Sequence, residues 1–233
     1  ALGIVLLPSL SKAIKQSDQE TTNNIQNRSI EFSLLISLPS AIGLFILAEP
    51  IIYILFERGA FLQEDTFYTA KVLGYFSLGL PAYIIIKVLV ACFFAREDTK
   101  TPLYISIVSV VSNILLSLLL IESMREMGIA LATAISAWIN ALLLYVMLFI
   151  RNNLKFDNLF IRNALKIFTS SLALIFIIYG LKTLILKDFV TNSFTVNSLS
   201  LLMIIFLAII IYLALVIMLR VLTINQLRQY LKK

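Results

Sequence analysis

Lys87 stands in the run IIIKVLV, a cation inside an apolar stretch and nine residues before Arg96. At 1.5 Å per helical residue this places it roughly 13 Å into a hydrocarbon layer. A lysine near mid-bilayer costs about 2.5–3.5 kcal/mol on insertion scales, so it needs a partner or water. Two readings fit: a cation lining a path for an anionic substrate, or a lysine that snorkels to the interface or pairs with a buried carboxylate such as Glu31. Glu31 follows Arg28 by three residues, on one helical face, which suits an ion pair at headgroup level.

The stretch FFAREDTKTP (93–102) gathers Arg96, Glu97, Asp98 and Lys100 between two long apolar runs. It suits a short turn in which Thr99 or Thr101 caps the next helix and Pro102 takes its first position. Arg96, Glu97 and Asp98 could also act as a gate whose charge pairs differ between two states. Asn113 and Ser117 are four apart, and Thr133 and Asn140 lie in the next apolar run. Small polar residues so spaced suit hydrogen bonds between neighbouring helices, or a cation site built of neutral oxygens.

Nothing in the chain suits covalent catalysis. It has no His, no Gly-rich phosphate loop, no GxSxG and no carboxylate pair within an apolar run, and its one cysteine, Cys92, cannot form an intrachain disulfide. No enzyme activity and no metal centre are expected.

These residues need elements that hold them in lipid. Of 233 residues, 60% are hydrophobic and 14% charged, with mean hydropathy +0.97, against about 25% charged in soluble domains. The chain is an all-α, polytopic membrane protein. Apolar runs near the length of a span fall at about 30–55, 67–94, 102–121, 128–150, 162–186 and 198–219. Residues 1–10 are half that length and read as the end of a helix begun outside this sequence, so six spans and the end of a seventh are expected. Pro39 and Pro81 fall within spans and permit kinks, while Glu49, before Pro50, sits near a span end. Of the polar joints, only the first (11–28) and the last (187–198) look longer than tight turns.

The basic residues then set orientation. Strict alternation puts Lys12, Lys15, Arg28, Arg96, Lys100, Arg151, Lys155, Arg162, Lys166, Arg220, Arg228, Lys232 and Lys233 on one side, and Arg58, Lys71, Arg125, Lys182 and Lys187 on the other. Thirteen against five makes the first side, with the C-terminus, cytoplasmic. A net charge of +6 distributed in this way is topological, and no nucleic-acid partner is expected.

Three stretches carry a more particular signal: VLLPSLSKA (5–13), LFERGAFLQEDT (55–66) and KVLVACFFAREDTKTP (87–102). In this order and spacing the chain resembles the lipid II flippase family, MurJ or MviN, of the MOP transporter superfamily, with specific motifs to about residue 150. The resemblance implies a fourteen-helix transporter of two six-helix lobes plus two helices, of which this chain is the C-terminal half. Residues 1–155 would be part of the second lobe, and 156–233 the two extra helices, a groove for a polyprenyl tail. The missing N-terminal lobe, which carries most of the family's essential arginines, would be its partner.

The implied activity is alternating-access movement of lipid-linked peptidoglycan precursor across the bacterial inner membrane. Lipid II and membrane lipids are then the partners, with Lys87, Arg28 and Glu31 at the cavity and Arg96, Glu97 and Asp98 at a cytoplasmic gate. Some members resemble sodium-coupled carriers; carried over by position, Asn113, Ser117, the Ile129 carbonyl and Thr133 would be ligands. Ser117 stands where an acidic ligand is expected. Sodium or the membrane potential is the implied coupling. The competing readings are another exporter of the superfamily, for an O-antigen lipid or for drugs, and a membrane subunit that transports nothing.

Overall fold

A lipid core offers no water to backbone amides and carbonyls, so each span must satisfy them within itself, as a helix does. A computed structural model describes residues 2–186 and 193–221. Six helical segments among them are long and apolar enough to cross a membrane: Gln19–Ile46, Gln63–Phe94, Lys100–Met124, Glu126–Ile150, Asn158–Ile185 and Phe194–Met218. Each overlaps one of the six expected runs, the first lying earlier in the chain than the expected 30–55, and no strand occurs among the described residues. Lys187, Arg228, Lys232 and Lys233, used in the charge count, lie outside the described residues.

In chain order the elements are α1 (Leu2–Lys15), α2 (Gln19–Ile46), α3 (Ala48–Phe56), α4 (Gln63–Ser77), α5 (Leu80–Phe94), α6 (Lys100–Met124), α7 (Glu126–Ile150), α8 (Asn158–Ile185) and α9 (Phe194–Met218). The helices outrun their apolar segments. The joint at 11–28 is no long loop: α1 continues to Lys15 and α2 starts at Gln19. Hydropathy marks only the length in lipid, whereas a helix continues wherever its ends are capped. Asp18 supplies that cap, accepting from the Thr21 amide at 2.9 Å while its carbonyl takes the Thr22 hydroxyl at 2.7 Å.

Two expected single helices are each broken. The first run divides at Leu47 into α2 and α3, and the second divides at Leu78–Gly79 into α4 and α5. Pro39 lies inside a continuous α2, but Pro50 and Pro81 fall in the first turns of the restarted helices, where a missing N–H is tolerated. Pro50 has no N–H to give the Ile46 carbonyl four residues back, and that carbonyl accepts instead from Lys182 Nζ at 3.4 Å.

Four helices end alike. Ser17, Glu97, Asn152 and Arg220 all take positive φ, 54–59°, just past α1, α5, α7 and α9. In each case that residue's amide and the next one reach back to the last turn, as Glu97 N to Phe94 O (3.0 Å) and Asp98 N to Phe93 O (3.1 Å). This is the Schellman arrangement, usually closed by glycine. None of the four is glycine, so the ends are silent in the sequence.

The chain forms two compact units, one of residues 1–37 and 75–161, the other of 38–74 and 162–233. In the first, α7 packs against both α5 and α6, and α1 against α5. A row of small residues, Gly128, Ala130, Ala132, Ala134, Ala137 and Ala141, is the buried side of α7, which lets backbones approach closely. The polar side of α2 also points inward: Thr22, Gln26, Ser29, Ser33 and Ser37 are all buried. On α6, Leu103, Ile107, Val111, Ile114 and Leu118 are at least half exposed, a surface suited to lipid. In the second unit α3 packs on α9, and Ala48, Ile52 and Ala70 form a core with Phe61 and Leu73. Lys166 Nζ on α8 reaches the Leu219 carbonyl past the end of α9 at 2.7 Å.

The α6–α7 hairpin is the tightest joint. Arg125 turns the chain with φ 50° and ψ −132°, a region that costs a side-chain-bearing residue about 1–3 kcal/mol. A Cβ on Gly128 would lie 2.6 Å from the Leu120 carbonyl oxygen, a backbone atom that cannot swing away. Gly128→Ala is therefore expected to lower stability by about 1–3 kcal/mol and Arg125→Gly to raise it. Thermal unfolding of the two variants in detergent checks both signs.

Candidate functional site

Three polar centres lie in the first unit. Lys87, on α5, is exposed and makes no hydrogen bond or ion pair among the described residues. Of the two pairings considered for Glu31, the one with Lys87 is absent and the local one with Arg28 is present. Glu31 is buried and pairs with Arg28 one turn earlier on α2. Arg28 in turn donates from a single nitrogen, Nη2, to both Asp157 carboxylate oxygens, at 2.7 and 2.8 Å, an ion pair 129 residues distant in sequence. Lys87 and the Arg28–Glu31 pair are thus two places, not one.

The second centre binds three segments together: the start of α2, the turn at 95–99 and the connection at 151–157. Arg96 is its hub. Its guanidinium donates to the Cys92 carbonyl at 2.8 Å and the Asn153 carbonyl at 3.0 Å. Gln26, with no exposed surface, donates to the same Asn153 carbonyl at 3.0 Å and accepts from Arg96 at 3.2 Å when its amide is oriented as these neighbours require. Next to it Asn27 donates to the Lys155 carbonyl at 2.9 Å. Partial burial pulls the Arg96 pKa below its ordinary value.

Asp98, not Thr99 or Thr101, caps α6. Its carboxylate accepts from the Thr101 amide at 3.0 Å and hydroxyl at 2.7 Å, and pairs with Arg151 at 2.6 Å. Pro102 is consequently the third residue of α6. The reason is geometric: a turn closed by Glu97 in the left-handed region leaves Asp98 facing the free amides of the next helix. Of the three proposed gate residues, Arg96 and Asp98 thus spend their hydrogen bonds within this unit, and Glu97 is exposed.

The third centre lies between α6 and α7. Asn113 donates to Thr133 at 3.2 Å and to Ser136 at 3.0 Å, while its own carbonyl oxygen accepts from Ser117 at 3.3 Å. Thr133 donates to the Ile129 carbonyl at 2.8 Å, and Ser109 to the Ser136 carbonyl at 2.8 Å. All four oxygens expected at a cation site are brought together, but in a set that satisfies itself with internal donors and contains no carboxylate. Among the described residues no cluster of three His, Cys, Asp or Glu could hold a metal ion. As arranged, these residues fit a hydrogen-bonded helix seam better than a sodium site.

Sequence reasoning missed Gln26, Asn153, Arg151, Asp157 and Ser136. Ser136, three residues after Thr133, carried a spacing signal. The others lie in polar joints, where composition cannot tell a buried hub from a solvated loop.

The fold and these centres describe a multi-pass helical membrane protein with, among the described residues, an unpaired cation on a span and polar clasps at helix ends. Comparison makes this specific. The family model described as lipid II flippase MurJ matches residues 1–207, and the chain belongs to that family. It is 46% identical over 157 residues to the probable lipid II flippase MurJ of Rhizobium tropici, covering 67% of this chain and 30% of that protein. Against the corresponding protein of Rickettsia prowazekii it is 46% identical over 141 residues, covering 60% of this chain and 28% of the relative. Among solved structures it is similar to lipid II flippase MurJ in an inward closed conformation, with TM-score 0.74 and 32% identity over 92% of this chain and 41% of that one. The chain thus spans about a third of the length of the curated relatives it matches.

The Asp98 clasp has a defined pH dependence. The Thr101 hydrogen bonds, with Arg151, push its carboxyl down to about 2, below about 3.9 for a free aspartate. A depressed folded-state pKa stabilises above the unfolded value and loses that contribution as pH falls through the folded one. Asp98→Asn is expected to be less stable than the parent at pH 7, and the difference should shrink between about pH 4 and 2, as read by thermal unfolding across pH. Asp98→Ala, which removes the cap itself, should cost about 0.5–2 kcal/mol at neutral pH.

Proposed function

We propose that this chain is the C-terminal part of a lipid II flippase, a non-enzymatic carrier that moves lipid-linked peptidoglycan precursor across the bacterial inner membrane by alternating access. The observation that carries the reading is Lys87: a cation on a membrane-spanning helix, exposed and unpaired among the described residues, in a chain of this family. An anionic headgroup and pyrophosphate offer the charge such a cation lacks, and a lysine within an apolar span costs enough to call for water or a partner. Family membership supplies the cargo class. The lysine supplies a reason for it to bind.

In this reading Arg28 and Glu31 stand at the cytoplasmic entry of the cavity, with Asp157 holding Arg28 in place. The clasp of Arg96 and Asp98 acts as the rigid base of the cytoplasmic gate and leaves Glu97 to meet the opposite lobe. Helices α8 and α9, with Ser170 and Ser171 buried on α8, form the tail groove, and the C-terminus is cytoplasmic. The mutual hydrogen bonding of the α6–α7 oxygens supports the membrane potential over sodium as the coupling source.

The test is complementation of a flippase-depleted bacterium by the whole gene. Lys87→Ala is expected to reduce growth support at least tenfold with membrane expression and melting temperature near the parent, and Lys87→Arg to retain most of it. Full support by Lys87→Ala would remove Lys87 from the transport path.

A further inference from the structure

Trp138, the chain's single tryptophan, stands at the midpoint of α7, Glu126–Ile150. Tryptophans that anchor membrane proteins sit at the headgroup interfaces, where the indole N–H finds water. At mid-span the N–H must find a partner inside the protein. It donates to the Leu78 carbonyl at 3.0 Å. Leu78 is itself at the midpoint of the interrupted span Gln63–Phe94, in the break between α4 and α5.

Three further contacts fix this break. Pro81, in the first turn of α5, has no N–H for the regular ladder. A Cβ on Gly79 would lie 2.7 Å from the Tyr83 ring and 3.0 Å from Ala134 Cα, so the break presses closely on α7 one turn before Trp138. Phe76 before the break and Tyr83 after it face each other with ring centroids 5.4 Å apart. Tyr83 and Lys87 are four apart on α5, on one helical face. The direction in which α5 leaves the break therefore determines where Lys87 stands.

We propose that Trp138 is a positioning residue: its indole N–H, bonded to the Leu78 carbonyl at the interrupted centre of a span, sets the direction of α5 and thereby the place of Lys87. A break in lipid is tolerated when a neighbouring side chain satisfies the backbone it frees. Removing the N–H exposes that carbonyl to hydrocarbon and favours an arrangement of the break that hides it. The transport consequence rests on the flippase reading; the positional one does not.

The test uses the complete protein in two arms. In the first, Lys87→Cys is made in a Cys92→Ser background, and the rate of its modification by a water-soluble cationic methanethiosulfonate is measured at pH 8. Adding Trp138→Phe, which keeps an aromatic ring but no donor, should change that rate about fivefold to tenfold, the equivalent of one hydrogen bond of ordinary net worth. Trp138→His should restore it, because imidazole Nε2 is as many bonds from Cα as indole Nε1. In the second arm, with Lys87 intact, Trp138→Phe should reduce growth support and Trp138→His recover it, with melting temperatures near the parent.

An unchanged modification rate in Trp138→Phe overturns the proposal whatever the growth result. A rate that changes equally in the His and Phe variants overturns it too, because the ring and not the N–H would then matter. A rate that shifts in Trp138→Phe and returns in Trp138→His, with normal growth throughout, upholds the positioning and counts against the transport role of Lys87.

Discussion

Every backbone amide and carbonyl placed in lipid must find its partner within the protein. In continuous stretches the helical ladder does this without help from any particular side chain. At the two breaks it cannot, and long-range contacts take over. Lys182 meets the Ile46 carbonyl, whose helical partner Pro50 has removed, and Trp138 meets Leu78. Each uses a donor from a distant helix, so the local irregularity is also a tertiary contact. The breaks are therefore joints with an assigned direction and not loose points in the chain.

The same constraint explains the inverted look of the first unit. A helix in lipid gains nothing by hiding apolar side chains, so its polar ones turn inward. The buried stripe of α2, from Thr22 to Ser37, and the seam of Asn113, Thr133 and Ser136 follow that rule. Small residues on α7 then bring backbones close enough for short polar side chains to reach each other. Hydrogen bonding and close packing act together, with neither sufficient alone.

At the helix ends the solvent returns and charges become affordable. The network around Arg96 illustrates this: Gln26, Asn153 and Cys92 supply neutral acceptors and donors, and Asp98 and Arg151 stand beside it as an ion pair. The Asp98 carboxylate is kept charged by direct hydrogen bonds. Such a clasp joins three segments far apart in sequence at the level of the headgroups. It gives this side of the unit a fixed frame.

Composition alone determined that the chain is a helical membrane protein, because lipid solvation imposes a length and polarity that a sequence must display residue by residue. The six spans, and through three motifs the family, were legible for that reason. Lys87 was legible too, as a charge out of place. What only the tertiary structure decided was partnership: that Arg28, beside Glu31, also holds Asp157, that Asp98 rather than a threonine caps α6, and that Arg96 is a hub. These depend on left-handed residues such as Glu97 and Asn152, which no glycine announces, and on contacts more than fifty residues apart. Hydropathy is a property of single positions, whereas a hydrogen bond belongs to two, and the second is chosen by the fold.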